Sequence, residues 1–255
     1  MRYTLQVQYI GKNYAGSQIQ FENGKEIETP TIQGELEKAI STLIFGKTEN
    51  NNRQIKTIFS GRTDRGVNSE GQTVHFDTDK SIVASKFIYS LNEILPDDIS
   101  VTNLKQVDSR FHAQKSAKKR YYRYVFINRK CKNAFDGDLL RIKYDINTER
   151  MQKALNYLLG EHDFSSFKSS GTLNPSKICF IEKADCQKIG DKVIIDIVGN
   201  RFLYNMVRIL TGTLIEVGRG EKMAESIDGI LEAKERRSAG FTVPARGLTL
   251  SEVRY

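Results

Sequence analysis

The fold class is decided by a short stretch near the start of the chain, Arg2-Tyr3-Thr4-Leu5-Gln6-Val7-Gln8-Tyr9. Its apolar and polar side chains alternate, so one face of an extended chain carries Tyr3, Leu5, Val7 and Tyr9. This is the pattern of a half-buried strand. Residues 32–44 instead space their apolar side chains with a helical period, and Gly46 follows as a stop signal. A strand followed by an amphipathic helix indicates a mixed fold.

The same mixture extends outward from this stretch along the whole chain. Further strands are predicted at 54–60, 72–78, 99–107, 120–127, 177–186, 192–199 and 248–255. Further helices are predicted at 84–95, 148–159, 202–217 and 222–235. The order of elements predicts an α+β fold of two pseudo-symmetric α/β halves, residues 1–108 and 109–255. The boundary falls at the polar, charged stretch 108–118.

Composition narrows the class of protein. The chain has 255 residues, with 39 Lys and Arg against 31 Asp and Glu, for a net charge of +8. This balance favours a polyanionic partner or, as the alternative, a solubilising surface. The longest apolar run has four residues, Tyr124–Ile127, far below the ~20 of a membrane helix, and no signal-peptide core is present. The sequence therefore predicts a cytoplasmic protein without a membrane partner.

Cysteine and histidine usage argues against a metal centre. The chain has three of each, scattered, with no C-x-x-C or H-E-x-x-H motif. An odd cysteine number without a secretion signal predicts reduced thiols in a reducing compartment. Structural zinc needs four clustered ligands, so no metal site is expected. Walker A, Rossmann and G-x-S-x-G motifs are also absent, which predicts no nucleotide cofactor and disfavours a phosphotransferase.

The sharpest motif is the loop Ser60-Gly61-Arg62-Thr63-Asp64-Arg65-Gly66-Val67, between two predicted strands. Its two glycines permit unusual backbone angles and close approach of a ligand. Asp64 lies between Arg62 and Arg65, and nearby positive charge favours the ionised carboxylate. Such a carboxylate acts as a nucleophile or a base. The alternative is an ordinary Asx-turn with solvated arginines.

A basic, tyrosine-rich segment follows at residues 115–132. It holds eight Lys and Arg, among them Lys119 and Arg120, together with three tyrosines and no acidic residue. Basic side chains contact RNA phosphates and tyrosine rings stack on bases. On a strand, Tyr122 and Tyr124 share one face. The alternative is a half-buried strand with a basic outer face.

The third segment is Asn200–Leu210, in which Arg208 falls among apolar neighbours. The predicted helix carries a core-facing stripe of Phe202, Met206 and Ile209. A buried arginine needs an anionic partner, and Asp64 is a candidate for it. The alternative is an arginine that extends from the edge of the core to solvent.

Taken together, these segments resemble the bacterial tRNA pseudouridine synthase A family. Gly61–Val67 is similar to the family's G-R-T-D-x-G-V catalytic loop. Further matches follow in the same order along the chain: Tyr14-Ala15-Gly16, Thr31–Glu37, Gly71–Phe76, Phe111-His112-Ala113, Gly160–Phe164, Phe202–Arg208 and Gly247-Leu248. Many spaced matches in one order are far more specific than a single loop.

The resemblance implies mainly antiparallel sheets that join around a central RNA-binding cleft, in a homodimer. It implies that the protein isomerises uridine to pseudouridine at positions 38–40 of the tRNA anticodon stem-loop, without cofactor or metal. Asp64 is then the nucleophile, Tyr122 packs against the target base and Arg208 pairs with the catalytic carboxylate. It also implies substrate contacts by Tyr122, Arg62 and Leu248, the last as an apolar wall of the pocket. Arg65, Lys119 and Arg120 are expected to bind the substrate as well, because basic side chains contact RNA phosphates.

Four positions depart from the family pattern. Arg65 and Arg201 stand where small residues are usual, Asn68 replaces a histidine and Ser17 replaces a tryptophan. The two extra arginines either contact RNA phosphates or are solvated. These departures keep open the alternative of a pseudouridine synthase that acts at a different RNA site. The charge and tyrosine pattern would equally serve a non-catalytic RNA-binding protein, but binding alone does not need the carboxylate of Asp64.

Overall fold

The computed structural model describes residues 1–22, 24–46, 54–171 and 176–255. The chain forms two compact units, one of Met1–Lys118 with Leu250–Tyr255 and one of Lys119–Thr249. The observed division lies at the end of the polar stretch 108–118, ten residues beyond the expected one. It also differs in grouping Leu250–Tyr255, which include most of the last strand, with the first unit. Within the described residues, no helix is long and apolar enough to cross a membrane.

The secondary structure mixes twelve strands and five α-helices within the described residues. Up to residue 118 the elements are β1 (Arg2–Tyr9), β2 (Phe21–Glu22), β3 (Lys25–Glu26), α1 (Ile32–Phe45), β4 (Thr57–Phe59), β5 (Asn68–Asp77), α2 (Ala84–Asn92) and β6 (Ile99–Val107). The remainder are β7 (Lys119–Asn128), β8 (Arg141–Ile142), α3 (Thr148–Asn156), β9 (Gly160–Asp163), β10 (Ile178–Ile189), β11 (Lys192–Gly199), α4 (Met206–Gly218), α5 (Ser226–Ala233) and β12 (Leu248–Arg254). The predicted α+β class is confirmed.

The first unit is a sheet covered by helices. Its strands lie in the order β6-β1-β5-β12, with β4 also paired to β5. Strand β1 is antiparallel to both of its neighbours, β5 and β6. The alternation in β1 buries Tyr3, Leu5, Val7 and Tyr9 in one core cluster with the apolar faces of α1 and α2. Burial of these side chains contributes about 1.5–3 kcal/mol each, so the sheet that leads to the Asp64 loop is firmly held.

The second unit has its strands in the order β7-β11-β10-β9, with β8 parallel to β7. Helix α3 packs against β10 and α4, and α4 also packs against β7. Nearly every residue of α4 is buried, as expected of a helix that is apolar on all sides. A Cβ on Gly212 would overlap the carbonyl oxygen of Phe241, so α4 and the chain near Phe241 pack backbone to backbone.

Several predicted element ends are wrong, and local contacts explain two of them. The helix predicted at 202–217 starts at Met206 because Asn205 adopts a left-handed conformation with φ 60°. Phe202 therefore lies outside the helix and cannot share its stripe. The helix predicted at 84–95 ends at Asn92, whose side chain bonds both the N–H and the carbonyl of Val101. The helices predicted at 148–159 and 222–235 are also shorter, and β5 begins at residue 68 instead of 72.

Candidate active site

The loop between β4 and β5 presents Asp64 at the edge of the first unit's core. The backbone of Asp64 forms an isolated antiparallel bridge with Gly16. A turn follows, in which Val67 N–H donates to the Asp64 carbonyl at 3.1 Å and Gly66 takes φ 80°. Asp64 is half-buried, whereas Arg62 and Arg65 are exposed. The loop thus offers a carboxylate between two solvent-facing guanidinium groups.

Thr63, the residue before Asp64, is buried and hydrogen-bonded at three atoms. Its N–H donates to Ser17 Oγ at 2.8 Å, and its carbonyl accepts from Ser17 N–H at 3.1 Å. Its hydroxyl lies 2.8 Å from the hydroxyl of Tyr9. Burial is the main cause that raises the pKa of Tyr9, to about 12, so this phenol stays neutral and serves as a structural partner. The backbone that carries Asp64 is therefore fixed from inside the core.

The two ends of the loop are fixed by side chains of β5. Gln72 Nε2 donates to the Gly61 carbonyl at 2.9 Å, and Gln72 Oε1 accepts from the Ser60 hydroxyl. Asn68 Oδ1 accepts from Gly11 N–H at 2.9 Å. Asn68, one of the departures from the family pattern, therefore has a structural contact in this chain.

Tyr122 lies in β7 of the second unit, opposite Ile197 of β11. It is half-buried, and its ring packs edge-to-face on Phe202 with centroids 5.0 Å apart. Tyr124, two residues on, is fully buried and donates to the Pro244 carbonyl at 2.9 Å. Burial raises the pKa of Tyr124, so this hydroxyl is structural. Of the two tyrosines on this predicted face, only Tyr122 is open enough to meet a ligand.

Arg208 lies in the first turn of α4 and is half-buried. Its Nε donates to the Val243 carbonyl at 2.8 Å, and its Nη1 donates to Asn205 Oδ1 at 2.6 Å. Asn205 is itself held by a bond from its Nδ2 to Ser169 Oγ. Both acceptors are neutral oxygens of the same unit, so they orient the guanidinium without neutralising it. A cation is unfavourable at a helix N-terminus, which points to a role other than helix stability.

The basic residues that were predicted to bind RNA in the second unit already contact other protein groups, which the sequence did not indicate. Lys119 Nζ lies 2.7 Å from a Glu182 carboxylate oxygen, and Arg120 Nη1 donates to the Asn200 carbonyl at 2.6 Å. Arg123 pairs with Asp196 at 2.8 Å. Carboxylates of β10 and β11 therefore compensate much of the positive charge of β7. Leu248 is buried, at 6 % exposure.

Sequence reasoning missed a group of cations in the second unit, formed by Lys168, Lys177 and Arg201. Backbone bonds bring their segments together: Ser169 N–H donates to the Tyr204 carbonyl and Phe164 N–H to that of Lys177. All three residues are half-buried. Burial, followed by the charges of Lys168 and Arg201, lowers the pKa of Lys177. The residues are too far apart in sequence to form a motif, and only Arg201 was visible, as a departure from the family pattern.

The structure divides the predicted residues between the two units. Asp64, Arg62 and Arg65 belong to the first unit, and Tyr122, Arg208, Leu248, Lys119 and Arg120 belong to the second. Within the described residues, no three His, Cys, Asp or Glu side chains are grouped so that they could hold a metal ion.

Comparison with known proteins gives full-length relatives. A family model described as tRNA pseudouridine synthase matches residues 154–255. The tRNA pseudouridine synthase A of Anoxybacillus flavithermus is 43% identical over 98% of this chain and 96% of that protein. The protein of the same name from Bacillus licheniformis is 41% identical over 100% and 99%. A solved Cbf5-Nop10-Gar1 complex covers 83% of this chain and 54% of that chain at 11% identity, with a TM-score of 0.34, too low to support a conclusion.

Proposed function

Because the chain belongs to the tRNA pseudouridine synthase family, we propose that it uses Asp64 as the nucleophile on uridines 38–40 of the tRNA anticodon stem-loop. The activity of the family is the isomerisation of tRNA uridine to pseudouridine, so the chain is an isomerase. The observation that carries the assignment of Asp64 is its loop. A half-exposed carboxylate follows a buried, triply bonded Thr63 and is flanked by two exposed arginines.

The reaction matches what such a carboxylate supplies. The N1–C1′ bond breaks, the uracil turns, and C5 bonds to C1′, while the C5 proton leaves and N1 is protonated. No atom is gained and no electron is transferred, so the reaction needs no redox partner. An ionised Asp64 is suited to attack the base or the ribose, or to remove a ribose proton. A fixed backbone reduces the reorganisation needed to reach the reactive geometry.

Tyr122 and Arg208 have complementary roles in this proposal. The half-buried Tyr122 ring, already packed on Phe202, offers an aromatic face to the target uracil. Arg208 supplies a fixed guanidinium whose two described bonds use two of its five N–H groups. Its pairing with the catalytic carboxylate stays a prediction.

RNA binding requires that the target nucleotide leave its stack, at a cost of a few kcal/mol. We propose that phosphate contacts offset this cost. Arg62 and Arg65 are the candidates in the first unit, and Lys168, Lys177 and Arg201 are candidates in the second. Lys119 and Arg120 are further candidates, and each also contacts protein atoms. Leu248 is proposed as an apolar wall of the pocket.

Two further parts of the proposal concern assembly and compartment. We propose a homodimer, as the resemblance implies, and light scattering of the purified protein tests it. We propose the cytoplasm as the compartment, because the substrate is tRNA and the three cysteines, Cys131, Cys179 and Cys186, are free.

The test is position-resolved pseudouridine mapping on unmodified tRNA transcripts, with the wild-type protein and Asp64→Asn. Asp79→Asn, which changes an exposed carboxylate of the same unit, is the matched control. We expect pseudouridine at positions 38–40 with wild type and control, and none with Asp64→Asn, which keeps tRNA binding. Normal activity of Asp64→Asn would refute the assignment of Asp64 as the nucleophile. Product at other positions would refute the anticodon assignment, and tRNA binding with no product from any variant would favour the binding-only alternative.

A further inference from the structure

We infer that Ser17 is a positioning residue for the reaction, whose buried hydroxyl fixes the backbone of the catalytic loop immediately before Asp64. The inference deepens the proposed function and rests on the assignment of Asp64. Ser17 does not reach the reacting atoms in this role. It acts through Thr63, the neighbour of Asp64 in the chain.

The first support is the pair of contacts between Ser17 and Thr63. Ser17 Oγ accepts the Thr63 N–H at 2.8 Å, and Ser17 N–H donates to the Thr63 carbonyl at 3.1 Å. Ser17 is completely buried and Thr63 is 3% exposed, so water does not replace these bonds. Both peptide groups around Thr63 are held, and the orientation of the next residue, Asp64, depends on the second of them.

The second support is that Ser17 is itself held by the start of α1. The N–H of Gln33 donates to the Ser17 carbonyl at 3.0 Å, and the N–H of Ile32 donates to the Gly16 carbonyl at 3.2 Å. The first N–H groups of a helix lack partners within the helix, so these bonds satisfy both segments. The N-terminus of the helix thereby fixes the position of residues 16 and 17. Through their contacts it also fixes the position of Thr63.

The third support is that the same helix also fixes β4, which enters the loop. Gln33 Nε2 donates to the Thr57 carbonyl at 3.1 Å, and the buried Glu37 carboxylate accepts from the Thr57 N–H at 2.8 Å. One helix therefore determines both the strand that leads into the loop and, through Ser17, the middle of the loop. The hydroxyl of Ser17 connects this fixed helix to the backbone of Thr63, the neighbour of Asp64.

The side chain at position 17 has specific requirements. The backbones are already in contact, since a Cβ on Gly16 would lie 2.9 Å from the Thr63 carbonyl oxygen. Alanine would fit the space of Ser17 but would leave the Thr63 N–H without its acceptor in a buried place. An unpaired buried N–H is unfavourable, so the loop would shift to find another partner. A displacement near 1 Å at a reacting group reduces rates by up to about a hundredfold.

The experiment measures single-turnover pseudouridine formation at saturating protein, together with the tRNA Kd, for Ser17→Ala, Ser17→Thr and Ser166→Ala. Ser166 is the matched control: it is also completely buried, and its hydroxyl bonds a carbonyl, that of Ile230, in the second unit. We expect Ser17→Ala to lower the rate about ten- to a hundredfold with Kd changed by less than about twofold. Ser17→Thr keeps the hydroxyl and should recover most of the rate. Ser166→Ala should keep the wild-type rate.

Two results would overturn the inference: a wild-type rate for Ser17→Ala, or an equal loss in Ser17→Ala and Ser166→Ala. If Ser17→Thr packs poorly and does not recover the rate, amide hydrogen exchange of Thr63, measured without tRNA, still tests the contact with Ser17. Exchange should be faster in Ser17→Ala than in wild type, and unchanged exchange refutes the contact. This readout does not involve Asp64, so it separates failure of the inference from failure of the nucleophile assignment, which the Asp64→Asn mapping reports.

Discussion

Acid should destabilise the first unit through His75. This histidine lies in β5, is 2% exposed, and accepts the Ala113 N–H at its Nδ1 at 3.1 Å. Burial, then the charges of Arg2 and His112, lowers its pKa to about 4, against a partial opposing effect of Asp77. The acceptor role requires an unprotonated Nδ1, so contact geometry and charge both favour the neutral ring.

The change in the free energy of unfolding with pH follows from the difference in proton binding between the folded and unfolded chains. Between pH 6.5 and about 4 the unfolded chain binds a proton at this position and the folded chain does not. The contribution of His75 is therefore complete above pH 6.5 and is lost as the pH falls towards 4. At about 1.4 kcal/mol per pH unit, the loss approaches roughly 3 kcal/mol for a fully buried ring. Carboxylates with lowered pKa values, such as Asp77, add their losses at lower pH.

The assay is urea unfolding at pH values from 7.5 to 4.5, for wild type and His75→Asn. Asparagine offers an oxygen near the position of Nδ1 but does not titrate. We expect the free energy of unfolding to fall by about 2–3 kcal/mol more in wild type than in His75→Asn over this range. His162→Gln, in the second unit, is the control and should follow wild type. Parallel pH profiles of wild type and His75→Asn would refute the reasoning.

Three further outcomes are expected. Gly212→Ala places a Cβ into the Phe241 carbonyl and should reduce the free energy of unfolding by about 1–3 kcal/mol, measured by urea titration; an unchanged midpoint would contradict the close packing. Gly16→Ala combines φ 133° with a contact to Thr63 and should lower the pseudouridine rate at least tenfold while the far-UV spectrum is retained; a wild-type rate would be inconsistent with the loop geometry. Arg201→Ala should make the log Kd–log salt plot for tRNA shallower by about 0.9 per lost duplex contact, and an unchanged slope would exclude a phosphate contact.

Local patterns predicted the elements whose formation depends on neighbours in sequence. The alternation in residues 2–9 and the helical period of 32–44 gave β1 and α1 to within a residue. The glycines around Asp64 correctly placed a loop between two strands. The start of α4 was wrong because one residue, Asn205, takes a left-handed conformation that its sequence context did not reveal.

Features that depend on distant residues were not predictable. The basic strand β7 carried the expected charge, but its partners Glu182 and Asp196 lie on other strands, 63 and 73 residues away from Lys119 and Arg123. Ser17 was noticed only as an unusual residue, since its partner Thr63 lies 46 residues later. Only the packing of the folded sheet determines whether an unusual side chain has no effect or makes a contact that supports the structure.

The placement of the last strand sets a timing for synthesis on the ribosome. The first unit includes Leu250–Tyr255, where Ser69 Oγ donates to the Leu250 carbonyl at 3.0 Å and Tyr255 donates to that of Ala113 at 2.8 Å. At about 5–20 residues per second, these partners emerge roughly 7–26 s after residue 118. During that interval β5 lacks its neighbour β12, and the nascent first unit exposes an incomplete sheet edge. The unit made first is therefore among the last to be completed, and its open sheet edge stays exposed for longer when elongation is slower.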